Sequence, residues 1–121
     1  ASDVYKRQYL NQRADKKAMN DLQTLAKDTR TLYGAEAKYL VAQQLYKAGE
    51  YTAAEKEILN FIDQSTPHAY WLARSFVLLS DVYVAMDKKL DARQYLLSLQ
   101  QNYHADDDIE QMINERLEKL K

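Results

Sequence analysis

The chain has no cysteine, one proline and two glycines in 121 residues. Without Cys there are no disulfides, thiolate metal sites or cysteine nucleophiles, although the compartment stays open. So little Gly and Pro removes most of the turn chemistry that strands and hairpins need. No apolar run approaches the ~20 residues of a membrane span. The first residues have neither the apolar centre of a signal peptide nor the amphipathic pattern of a transit segment. An excess of one charge is missing too: 17 basic and 18 acidic residues give a net charge of −1, which argues against a nucleic-acid binder. The charges are unevenly placed. Residues 1–30 carry seven basic and four acidic groups, and residues 105–121 carry three and six. A solvated helical surface fits this distribution, and end-to-end attraction between copies is the alternative.

Ala, Leu, Lys, Glu, Asp and Gln make up most of the chain, so the composition predicts an all-α domain. The length suits one domain, able to bury roughly two thirds of its unfolded surface. In "GAEAKYLVAQQLYKAGEYTAAEKEILNFIDQSTP", Ala37, Val41, Leu45 and Ala48 recur at helical spacing. Gly49 then stands where a left-handed C-cap belongs. Tyr51, Ala54, Ile58, Phe61 and Ile62 form a second stripe. Thr66 is the expected N-cap and Pro67 the first residue of the next helix.

A helix, a tight turn, a helix and a proline within about 34 residues resemble a tetratricopeptide repeat. With Ala35 as repeat position 1, Ala42 falls at position 8, Gly49 at 15, Tyr51 at 17 and Ala54 at 20. Small residues are needed there because a larger side chain would push two crossing helices apart. Lys38 departs from the pattern, taking position 4 where the family usually has Trp. The pattern returns 38 residues on: Ala54 maps to Ala92, Ile58 to Leu96, Phe61 to Leu99, Val41 to Leu79 and Ala42 to Ser80. The four additional residues, about one helical turn, are expected to lengthen the first helix of the second unit, from about Pro67 to Met86. Its core stripe would be Leu72, Phe76, Leu79 and Tyr83, and Asp87 stands where its turn would favour Gly. Upstream, Ala18, Leu22, Leu25 and Ala26 match the second helix of a partial unit over 9–30. Downstream, Ile109, Met112, Ile113, Leu117 and Leu120 form one face of a terminal helix within 105–121, where arrays need a cap.

The resemblance implies antiparallel helix-turn-helix units over 31–66 and 67–104, stacked as a short right-handed solenoid. The wording of 66–103 is similar to repeat arrays of bacterial cell-envelope proteins, which favours the envelope or periplasm over the cytoplasm. Residues 3–8, "DVYKRQ", resemble the translation of a transposon end used as a sequencing adapter. Residues 1–8 are therefore expected to be a foreign scar.

No reaction is written in the chain. His68 and His104 lack the i, i+4 spacing or neighbouring ligands of a metal pair. The carboxylates of "HADDDIE" lack the alternating ligands and central Gly of a calcium loop, and serve better to satisfy the free amides of a helix start. There is no phosphate loop, nucleophile elbow or Ser/His/Asp cluster. No catalytic residue, metal or cofactor is expected.

In tetratricopeptide arrays the first helix of each unit lines a concave groove, at positions 2, 5, 9, 12 and 13. The resemblance thus implies a partner surface of Glu36, Tyr39, Gln43, Tyr46 and Lys47, continued by Arg74, Val77, Asp81, Val84 and Ala85. Tyr70 extends the second row by one turn. A mixed aromatic and polar groove suits an extended peptide or a helix. Tyr39 and Gln43 stand where chaperone-tail binders carry Lys and Asn, so that ligand is not expected. Tyr39 is open to packing as well as binding, and packing is favoured for Tyr83 and Tyr95.

Overall fold

A computed structural model describes residues 2–121, apart from the side chains of residues 2, 3, 5–7 and 9–11. The expectation of a foreign segment over 1–8 falls largely on side chains outside the described residues. Six helices follow in order among the described residues: α1 (Ser2–Leu25), α2 (Leu32–Lys47), α3 (Tyr51–Asp63), α4 (Ala69–Ala85), α5 (Lys89–Asn102) and α6 (Ile109–Lys119). The fold is all-helical.

Local sequence sets the breaks between helices. Thr31 caps α2, its Oγ1 accepting from the Gly34 amide at 2.9 Å. At the far end Gly49 takes φ +78°. Its amide donates to the Tyr46 carbonyl at 3.0 Å and the Glu50 amide to the Leu45 carbonyl at 2.9 Å, the paired bonds of a Schellman ending. The α4–α5 turn repeats this. Asp87 takes φ +59°, its amide donates to Val84 at 3.1 Å and that of Lys88 to Tyr83 at 2.7 Å. The sequence therefore located both turns, the second with Asp in a conformation that costs Gly far less.

α2 packs on α3 and α4 on α5, each pair folding back across a short turn. α2 also touches α4, and α4 touches α6, whereas among the described residues α1, α3 and α5 pack only on their sequence neighbours. Ala42, Ala54, Ile58, Leu79, Val82 and Ala92 form the central core. Ala73, Val77, Leu96, Leu99, Ile109 and Ile113 form a second cluster under α6. Ala54 and Ala92 are fully buried, as helix crossings that admit only a methyl group require. Tyr83 and Tyr95 pack together, ring centroids 5.6 Å apart.

Three expectations need correcting. α1 is one unbroken helix of 24 residues with no Gly or Pro in it. Its inward stripe is Met19, Leu22 and Ala26, packed on Ala37 and Val41, while Ala18 and Leu25 are exposed. α4 starts at Ala69 rather than Pro67. The Thr66 hydroxyl donates to the Thr29 carbonyl at 2.6 Å and accepts from the His68 amide at 3.2 Å, which holds 64–68 as a connection. Finally, α4 has 17 residues against 16 in α2, so the four additional residues do not become a further turn of helix.

The same connection is tied to the α1–α2 turn. Thr29 Oγ1 donates to Gln64 Oε1 at 2.8 Å, and His68 Nε2 donates to the Arg30 carbonyl at 2.9 Å. His68 is thus a structural link between turns. Lys38, where the repeat pattern expects Trp, is buried and bridges α2 to α3. Its Nζ lies 2.7 Å from Glu57 Oε1 and 2.8 Å from Asn60 Oδ1.

Candidate functional site

Seven of the eleven expected partner-surface residues line one depression between α2, α4 and α6. They are Tyr39, Gln43, Tyr46 and Lys47 from α2 with Arg74, Val77 and Asp81 from α4. The cavity measures about 180 Å³ and is completed by Leu78, Met112 and Arg116. Glu36 is half-buried on α2 outside it. Tyr70 lies one turn above, joined to it through Arg74. Val84 and Ala85 are exposed, and Val84 lines a neighbouring cavity instead.

Arg74 is the centre of the upper end. Its Nη1 donates to the Tyr70 hydroxyl at 3.0 Å and its Nη2 to the Tyr39 hydroxyl at 3.2 Å. Its guanidinium carbon lies 4.9 Å from the centre of the Tyr39 ring and 5.9 Å from that of Trp71. Burial opposes the charge, but the two tyrosine hydroxyls outweigh it and hold the Arg74 pKa above its ordinary value. The Tyr70 hydroxyl in turn donates to Asp108 Oδ1 at 2.8 Å. Burial raises the Tyr70 pKa, Arg74 lowers it and Asp108 raises it further, so the phenol stays protonated above its usual range.

The lower end is closed by an ion pair. Arg116 donates twice to Asp81, at 2.8 and 3.0 Å, a two-point geometry that fixes α6 against α4. Burial, with Asp81 close by, raises the Tyr46 phenol. A second cavity, about 500 Å³, adjoins this end and shares Tyr46, Asp81 and Arg116 with the first. Val84, Leu96 and Leu120 are its apolar lining.

Two expected groove residues are largely used internally. Tyr39 is 5% exposed and packs in the central core, its ring centroid 5.6 Å from that of Trp71. Val77 is 3% exposed because α6 lies over it with Ile109 and Ile113. α6, which the repeat pattern implies only as a cap, also supplies Met112 and Arg116 as groove walls. Their spacing of four was the available signal, since it puts both on one helix face.

The other candidates resolve locally. His104 Nε2 donates to the Gln101 carbonyl at 2.9 Å. Asp107 Oδ1 accepts from the Ile109 amide at 2.9 Å, and Asp107 also accepts from the Tyr103 hydroxyl. Among the described residues no group of three His, Asp or Glu side chains is placed to hold a metal ion. No helix among them is long and apolar enough to cross a membrane. Compared with known proteins, the chain matches no family model, no curated protein and no solved structure.

Proposed function

We propose that the chain is part of a tetratricopeptide-like repeat scaffold that performs no catalysis and holds a protein or peptide segment in the groove between α2 and α4. The observation that carries this is the convergence of Tyr39, Gln43, Tyr46, Lys47, Arg74 and Asp81 on one depression. The helix order supports it. α2, α4 and α6 touch one another in succession while α3 and α5 stay behind them, as the first helices of stacked units do. Mixed aromatic and charged walls with one central Arg suit a peptide.

The single Trp is a reporter, because Trp71 touches both Tyr39 and Tyr70. A peptide selected from a random displayed library should change Trp71 emission on binding. Tyr46→Ala and Lys47→Glu should each weaken it about tenfold, as interface anchors do, while Lys56→Glu, exposed on α3, should not. Equal binding by all three variants would place the peptide elsewhere.

A second proposal follows from the uneven charge. Lys16 and Lys17 are exposed on α1, and Glu110, Glu115 and Glu118 on α6, so copies could associate end to end. Sedimentation at low and high salt tests it, since screening weakens such contacts; a strict monomer at low salt and high concentration removes it.

A further inference from the structure

The groove has more donors than acceptors. Its lining carries three cations, Lys47, Arg74 and Arg116, against one carboxylate, Asp81. Arg116 already occupies both oxygens of Asp81. No Asp or Glu among the described residues forms an ion pair with Arg74. Its bonds go to two neutral hydroxyls, which leaves N–H groups of its five-donor fork over. The Tyr39 hydroxyl accepts from Arg74 and from Gln43 Nε2, both at 3.2 Å, so its own hydrogen is another donor. A half-buried guanidinium against aromatic faces is only partly hydrated, and an anion placed there is screened less than on open surface.

We propose that the segment held in this groove is an extended acidic peptide. One Asp or Glu carboxylate sits between Arg74 and Tyr39, and a neighbouring apolar side chain enters the adjoining cavity against Val84, Leu96 and Leu120. This rests on the groove being the binding surface. The upper cavity, about 180 Å³, takes one side chain and no folded element, and the lower one offers an apolar side chain Val84, Leu96 and Leu120 inside a charged rim that includes Lys89, Glu115 and Lys119. A guanidinium fork reads a carboxylate at two points where Lys supplies only a point charge.

The test uses the full chain and a random peptide library displayed on phage. Peptides enriched on the wild type should share one acidic position. Changing it to Asn or Gln should weaken binding about tenfold or more, the effect of a lost charge-assisted bond. On Arg74→Gln the same change should make no more than about a twofold difference, the coupling expected of direct partners. Arg74→Lys should retain part of the affinity, and far-ultraviolet dichroism of both variants should match the wild type; if Arg74→Gln unfolds, the Arg74→Lys coupling decides. Peptides that Tyr46→Ala and Lys47→Glu release, but that share no acidic residue, would overturn the acidic-segment proposal and leave the groove standing. Peptides indifferent to both variants would overturn the groove as well. Displacement by a single-stranded oligonucleotide as readily as by unlabelled peptide would also sink the proposal, because the site would then take phosphate.

Discussion

The hairpins α2–α3 and α4–α5 occupy matching registers 38 residues apart, yet one contact is built from opposite chemistry. In the first, Lys38 meets Glu57 at 2.7 Å. In the second, the same two positions are Phe76 and Tyr95, ring centroids 5.9 Å apart. One helix–helix seam thus accepts a half-buried ion pair or an aromatic pair. What the position demands is a long side chain reaching across from each helix, and the neighbours decide which kind. Asn60 and Gln64 surround Lys38 with acceptors and donors, whereas Phe76 and Tyr95 adjoin Tyr83.

The largest effect that would separate the hairpins is expected at Gly34, whose counterpart is Leu72. A Cβ at residue 34 would overlap the Asp28 carbonyl oxygen, because the α1–α2 turn folds back over the first turn of α2. Gly34→Ala should cost about 3 kcal/mol or more by overpacking, while Leu72→Met should be nearly neutral; urea titration would read both. Equal midpoints would mean that the turn is not pressed against the helix.

Next comes the seam. Glu57→Ala leaves Lys38 buried without its carboxylate and should cost about 1–3 kcal/mol. Transplanting the second hairpin's solution, Lys38→Phe with Glu57→Tyr, should be neutral or stabilising, as exchanges of buried ion pairs for apolar residues often are. A double variant worse than Glu57→Ala would show that the two seams are not equivalent.

The turns give a smaller contrast. Gly49→Ala places a Cβ at positive φ and should cost about 1 kcal/mol. Asp87→Gly relieves the same conformation and should gain up to about 1 kcal/mol. Thermal unfolding of the two variants should shift in opposite directions.

The smallest contrast is alkaline. Burial, reinforced by Glu55, raises the Tyr83 phenol, and burial with the Asp107 bond pushes Tyr103 up to about 12. Both belong to the second hairpin, with Tyr70, against Tyr46 in the first. Above the ordinary tyrosine value of 10.0 the folded chain keeps protons that the unfolded chain loses, so this stability is complete below it and disappears as the pH rises toward 12. Hydrogen exchange should therefore show α4 and α5 loosening before α2 and α3. Tyr103→Phe should flatten the loss, since that side chain no longer titrates.

Helix positions, both turns and the small-residue crossings were legible because they depend on period and on single residues such as Gly49, Ala54 and Ala92. The unbroken α1 was legible in principle, from the lack of any Gly or Pro between its ends, although its end at Leu25 was not, since no Gly or Pro marks it. The burial of Val77 and Tyr39 was not, because it depends on where α6 and Trp71 settle against α4. Neither was the ion pair at Lys38, whose partner is 19 positions away on the facing helix.

Among the described residues α1 touches α2 alone, and this gives the molecule a direction when it comes apart. Every other helix touches at least two more, so α1 can leave without breaking the seams behind it. Under force applied at the two ends, the chain should release its first helix at the lowest load, exposing Ala37 and Val41 while the hairpins still hold.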